Sequence, residues 1–87
     1  MLRRDRIIVF IDSYMREQGC SPTVREICAN EGIKTTSLIH RHLVRLEKKG
    51  LLYRERRFQS RGLRFTDKGR AYVSEVKESE LMAVQSE

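Results

Sequence analysis

The chain has no internal repeat, no low-complexity tract, a single proline and no apolar run longer than Ile7-Ile8-Val9-Phe10-Ile11. That run stops at Asp12 after five residues, too short for a membrane span of about 20 residues or for the apolar part of a secretion signal. Cysteine is scarce. Cys20 and Cys28, eight residues apart, fit neither a redox Cys-x-x-Cys nor a zinc knuckle, and both read as structural. His40 and His42 do not complete a metal site, because alternate residues on a helix point about 200° apart. Paired carboxylates at useful spacing, a glycine-rich phosphate loop and a Ser/His/Asp set are also missing. No metal, no cofactor, no catalytic residue and no small-molecule substrate are therefore expected, and the chain does not read as an enzyme.

What is present is charge of one sign in one place. The 87 residues, 39% hydrophobic and 34% charged, suit one small domain that buries only about 60% of its unfolded surface. Eighteen Lys and Arg against 12 Asp and Glu give a net charge of +6 and a pI near 9.8, which favours an anionic partner such as nucleic acid. From Arg41 to Arg64 there are nine basic and two acidic side chains, whereas Glu75 to the end carries four acids and one base. A basic working surface followed by a tail that avoids it is the simplest reading.

Apolar spacing predicts a helix over Asp5 to Gln18, with Ile7, Ile8, Ile11, Tyr14 and Met15 on one stripe. Thr23-Val24-Arg25-Glu26 has the form of a capping box and starts a second helix that ends before Gly32. Thr35 or Thr36 can cap a third, running to about Lys49. At 100° per residue, Ile39, His42, Leu43 and Leu46 fall on its buried side. Ser37, His40, Arg41, Val44, Arg45 and Lys48 fall on the other, with Leu38 at the boundary. Leu51 to Arg56 and Gly62 to Thr66 alternate as two short strands joined by a hairpin tip at Arg57 to Arg61. In the second strand Leu63 and Phe65 share one face and Arg64 takes the other; Tyr53 is expected to pack at the hairpin base and Phe58 to be an exposed aromatic. A last helix starts at Thr66-Asp67 and runs to about Val84, with Gly69 as a mild weakness.

Three helices, a two-stranded hairpin and a final helix, with a short turn between the second and third helices, is the order of a winged helix-turn-helix. The expected class is mainly α with a small β-hairpin, residues 1–66 forming the winged unit and residues 67–87 a C-terminal helix with an acidic tail. A helix fits the roughly 12 Å major groove and offers its outward N-terminal side chains to base edges. Here those are Thr35, Thr36, Ser37, Leu38, His40 and Arg41. Arg45 and Lys48, farther along, are placed for phosphates, as is Arg25 beside the first turn of the second helix. Arg56, Arg57, Gln59, Ser60 and Arg61 of the hairpin are placed for a neighbouring minor groove or the backbone. On the last helix, Tyr72, Val73, Val76, Leu81 and Met82 favour pairing with a second copy over a monomeric support role.

The chain resembles the N-terminal DNA-binding domain of LexA-type repressors from about Asp5 to Phe65. The carriers are Ser21-Pro22-Thr23-Val24-Arg25-Glu26-Ile27, then Arg41-His42-Leu43-Val44-Arg45-Leu46-Glu47-Lys48-Lys49-Gly50-Leu51-Leu52, then Ser60-Arg61-Gly62-Leu63-Arg64, in order and at matching spacing. The resemblance implies that bases are read from the first two turns of the third helix, at Thr35, Ser37, Leu38, His40 and Arg41, and that the wing maps to residues 57–60. Members of that family carry acidic residues where His40 and Arg41 stand, so their operator does not transfer. Nothing in these residues corresponds to the self-cleaving Ser/Lys protease that also dimerises those repressors.

The expectation is a sequence-specific double-stranded DNA-binding regulator of transcription, a repressor in the simplest case. A prokaryotic or phage cytoplasm, at the nucleoid, is the expected location. Two rivals stand beside it: a protein-interaction winged helix of the antirepressor kind, and a non-specific or non-B-form nucleic-acid binder. Charge reversal at Arg41 and Arg45 separates the first rival, and affinity for random duplex the second.

Overall fold

A computed structural model describes residues 2–85, with side chains described through Glu80. The order is α1 (Arg3–Gln18), α2 (Val24–Glu31), α3 (Ser37–Lys48), β1 (Leu52–Arg54), a 3₁₀ segment (Arg56–Arg61), β2 (Leu63–Phe65) and α4 (Asp67–Gln85). This is a winged helix-turn-helix of the expected α+β class.

The core is built by the apolar stripes the sequence spells out. Ile7, Ile8 and Ile11 of α1 meet Ile27 and Cys28 of α2, Ile39, Leu43 and Leu46 of α3, and Leu51, Leu52, Leu63 and Phe65 at the base of the wing. The five-residue apolar run is helical, with Val9 and Phe10 on its flank only partly buried. Thr23 and Glu26 close the capping box: the Thr23 hydroxyl accepts from the Glu26 amide at 3.2 Å, and the Thr23 amide donates to Glu26 Oε1 at 2.8 Å.

The two strands are antiparallel, pairing Leu52 with Phe65, Tyr53 with Arg64 and Arg54 with Leu63. They are shorter than the alternation suggests, and the link between them is a tight 3₁₀ turn rather than an open hairpin tip. Glu55 ends the pairing by donating its amide to the Gly62 carbonyl at 2.8 Å. A Cβ at Gly62 would sit 2.2 Å from the Glu55 carbonyl oxygen, so this closure requires glycine. Tyr53 is 44% exposed, because the register turns it away from Leu52 and Leu63, and it borders a concavity shared with Met15, Arg64 and Phe65.

Helix α4 begins where the Thr66 hydroxyl accepts from the Gly69 amide at 2.9 Å. It lies against α1, tied by Tyr72 to Asp5 and by Lys77 to Asp12. Two expectations change here. Val73 is 3% exposed and belongs to the core, so it is spent inside this chain and is not free for pairing with another. Tyr72 is half-buried, its hydroxyl donating to Asp5, which leaves Val76 as the other described residue of the expected pairing set. The side chains of Leu81 and Met82 lie outside the described residues. Gly69 is not a weakness but a contact point: a Cβ there would fall 1.9 Å from the Leu51 carbonyl oxygen. Among the described residues, no helix is long and apolar enough to cross a membrane.

Candidate nucleic-acid interface

The α3 sequence divides its side chains as its periodicity requires. Ile39, Leu43 and Leu46 are buried, while Thr35, Ser37, His40, Arg41, Val44, Arg45 and Lys48 are exposed and Thr36 and Leu38 are half-buried. At its start the Thr35 hydroxyl accepts from the Ser37 amide at 3.4 Å, and Thr36, at the cap position, makes no side-chain capping bond. Hydroxyls, an imidazole and a guanidinium thus stand on one outward face near the helix N-terminus. These groups can donate to and accept from base edges. His42 is half-buried on the flank. Burial first, then Arg45, Arg3 and Arg41, hold its pKa below the ordinary 6.5, against an opposing pull from Glu31.

A cleft of about 530 Å³ joins this face to α2 and the wing. Arg25 and Thr23 from α2, Thr36 and His40 from α3, and Gln59 and Ser60 from the wing all line it. Five residues singled out in three separate stretches of sequence, Arg25, Thr36, His40, Gln59 and Ser60, therefore share one concavity. Arg41, Arg45 and Lys48 stand on the exposed helix face outside this cleft.

Arg56, Arg57, Gln59 and Ser60 are all exposed on the wing. Gln59 takes φ 51° and ψ −122°, a conformation that costs a non-glycine residue about 1–3 kcal/mol. Beside it Phe58, 45% exposed, has the Arg57 guanidinium 5.0 Å and the Arg64 guanidinium 4.8 Å from its ring centre. Those distances suit cation–π attraction, which holds an apolar ring outward between two positive charges.

Arg61 differs from the sequence expectation. Its Nη1 donates to Glu26 Oε1 at 2.9 Å, to the Ser21 carbonyl at 3.1 Å and to the Tyr14 hydroxyl at 3.2 Å. Tyr14 in turn donates to Glu26 Oε2 at 2.8 Å. The guanidinium is committed inward, so Arg61 fastens the wing to α1 and α2 instead of offering its charge outward. The Thr23 amide, the Arg61 guanidinium and the Tyr14 hydroxyl together lower the Glu26 pKa from 4.5 to about 2. Nearby, buried Ser21 accepts from the Leu63 amide at 3.3 Å.

Arg54 lines the same cleft and pairs with Glu47 of α3 at 3.3 Å, and sequence reasoning missed it. Strand alternation puts Arg54 on the face of buried Leu52, but β1 there runs past the edge of the core into the cleft. A basic residue on the nominally inward parity of a three-residue strand was the available signal.

Residues 2–62 match the family model described as the LexA DNA binding domain. The chain belongs to this family. The LexA repressor of Caldicellulosiruptor saccharolyticus is 47% identical over 53 residues, 61% of this chain and 26% of that protein. The LexA repressor of Clostridium perfringens is 45% identical over a stretch of the same length. That of Petrotoga mobilis is 38% identical over 75 residues, 85% of this chain and 36% of the relative. The chain thus spans about a quarter to a third of the length of these curated relatives. Within this LexA-type domain, the Ser-Arg-Gly stretch at residues 60–62 has a structural explanation: Arg61 binds Glu26 and Gly62 admits the Glu55 carbonyl.

Proposed function

We propose that this chain binds double-stranded DNA in a sequence-dependent way and represses transcription by occupying its site. The observation that carries the reading is the outward face of α3, where Ser37, His40 and Arg41 stand exposed beside a cleft shared with the wing. Membership of a DNA-binding family and relatives named as repressors support it. In this reading Thr35, Thr36, Ser37, Leu38, His40 and Arg41 meet base edges in the major groove. Arg45, Lys48 and Arg25 meet phosphates, and Arg56, Arg57, Gln59 and Ser60 meet the flanking groove or backbone. Arg61 acts from behind, as the anchor of the wing.

Selection of bound duplexes from a random pool tests this. The expected result is one enriched motif, bound at least about a thousand times more tightly than a scrambled duplex at physiological salt. Equal affinity for both would end the sequence-specific reading and favour a non-specific binder. A palindromic motif with half-sites about 34–36 Å apart would mean that two copies act together, for which α4 offers Val76. A single half-site would mean that α4 serves only as support. Retention of duplex binding after charge reversal of Arg41 and Arg45, in a folded protein, would favour the protein-interaction reading instead.

A further inference from the structure

Helix α3 has two flanks, and only one faces the wing. The other faces the start of α1, where a second cavity of about 280 Å³ is lined by Arg3 and Arg4 of α1 and by His42, Arg45 and Lys49 at the end of α3. Four of these side chains are basic and no carboxylate lines the cavity. Glu31 compensates only in part, since it pairs with Arg3 at 3.3 Å while also holding Arg6 at 3.2 Å. Arg4 has its Nε buried without a hydrogen-bond partner, 3.9 Å from an Asp5 oxygen that already accepts from Tyr72. Among the described residues, Arg45 and Lys49 have no ion pair. Arg3 and Arg4 each share a carboxylate with another residue while Arg45 and Lys49 have none, so the concavity keeps a net positive charge and suits an anion.

Its position says which anion. Arg41, Arg45 and Lys49 follow one another at four-residue spacing, steps of about 6 Å along one flank of α3, leading from the base-reading end to the cavity. A helix lying in a groove about 12 Å wide has a phosphate strand on each side. Arg25 and the wing stand on one side; the cavity is what the protein presents to the other.

We propose that the cavity formed by Arg3, Arg4, Arg45 and Lys49 binds a backbone phosphate of the duplex read by α3, on the strand opposite the wing. This rests on the DNA-binding reading above. It adds Arg3, Arg4 and Lys49 to the interface and gives the recognition helix a phosphate clamp on both flanks. The imidazole of His42 borders the site and reports on it.

The test titrates the 87-residue chain and its Arg4→Gln, Lys49→Gln and double variants against the selected duplex between 50 and 200 mM salt. Lys49→Arg serves as the charge-conserving control, and circular dichroism checks that each variant is folded. Each lost phosphate contact should make the salt slope shallower by about 0.9, so that binding weakens about 3.5-fold less across that range. The preference for the selected over the scrambled duplex should stay unchanged, and Lys49→Arg should keep the parent slope. An unchanged slope in folded Lys49→Gln and in the double variant overturns the proposal. If the parent loses its sequence preference on Arg41→Ala while the Arg4 and Lys49 variants leave the slope unmoved, the cavity assignment falls and the function stands. If the parent binds no duplex, both fall. Titration of inorganic phosphate against the His42 ring resonances distinguishes the sources of the anion. Saturation at or below about 1 mM would assign the site to a free anion and overturn the backbone assignment.

Discussion

Glu26 Oε1 accepts from the Thr23 amide at 2.8 Å and from Arg61 Nη1 at 2.9 Å, so one carboxylate oxygen both caps α2 and anchors the wing. The two residues are separated by 35 positions in sequence. Their contact fixes the wing relative to the helix-turn-helix, and with it the cleft in which Arg25, His40, Gln59 and Ser60 converge. Tyr14 ties the same pair to α1.

Acid should release this anchor. The Glu26 pKa is held at about 2 in the folded chain against an ordinary 4.5. The depressed value makes its contribution fully present above about 4.5 and progressively lost as pH falls from there toward 2. A shift of that size corresponds to about 3 kcal/mol at most. With the carboxylate 35% exposed, solvent screening reduces the expected contribution to about 1–1.5 kcal/mol. Urea unfolding of Glu26→Gln should show that loss at pH 7 and little difference from the parent at pH 2.

Gly69→Ala offers a test of opposite signs. Helix propensity alone predicts a gain of about 0.8–1.0 kcal/mol in α4. The added Cβ would meet the Leu51 carbonyl oxygen at 1.9 Å, and backbone must shift to admit it. The expected outcome is a loss of about 1–3 kcal/mol, measured by chemical denaturation. A stabilised variant would mean that α4 does not approach the wing base as closely as described.

The helices were legible because their signals are local. Capping at Thr23 and the apolar stripe of Ile39, Leu43 and Leu46 each lie within a few turns of one helix, and each is found where spacing placed it. The outward face of α3 followed from the same periodicity. What escaped were partners distant in sequence. Arg61 reads as one more wing cation until Glu26, Tyr14 and Ser21 are brought to it. Val73 reads as an apolar residue free to pair until α4 folds back on α1. Gly69 and Gly62 look like flexible points, yet each is needed because a carbonyl oxygen from another segment occupies the space of a side chain.

Within the proposed interface, Arg41 and Lys48 should fail differently. Both are exposed on α3, but Arg41 lies in its second turn and Lys48 at its end. Arg41→Ala should weaken the selected duplex by about 1–3 kcal/mol and relax the choice at one base pair. Lys48→Ala should weaken selected and scrambled duplexes alike and lower the salt slope by about 1. Fluorescence anisotropy on both duplexes at two salt concentrations reads all four quantities; identical behaviour of the two variants would remove the division between base reader and phosphate contact.

His42 gives the fold a second group whose protonation costs stability as pH falls, in a higher window than that of Glu26. Burial and the neighbouring Arg45, Arg3 and Arg41 lower its pKa from 6.5, while Glu31 pulls the other way. Between its folded pKa and 6.5, the folded chain binds fewer protons than the unfolded one, so stability rises with pH through that window. The benefit is complete above about 6.5 and is eroded as pH falls below it, because the imidazolium would have to form among like charges. Replacing His42 with Gln should flatten the stability profile just below pH 6.5 while leaving the acid limb set by Glu26 in place. Thermal unfolding across that range, parent against variant, reads the difference. An anion seated beside Arg45 and Arg3 would screen the repulsion and raise the His42 pKa, so duplex binding should take up protons at pH values below 6.5, which calorimetry in buffers of different ionisation heat would detect.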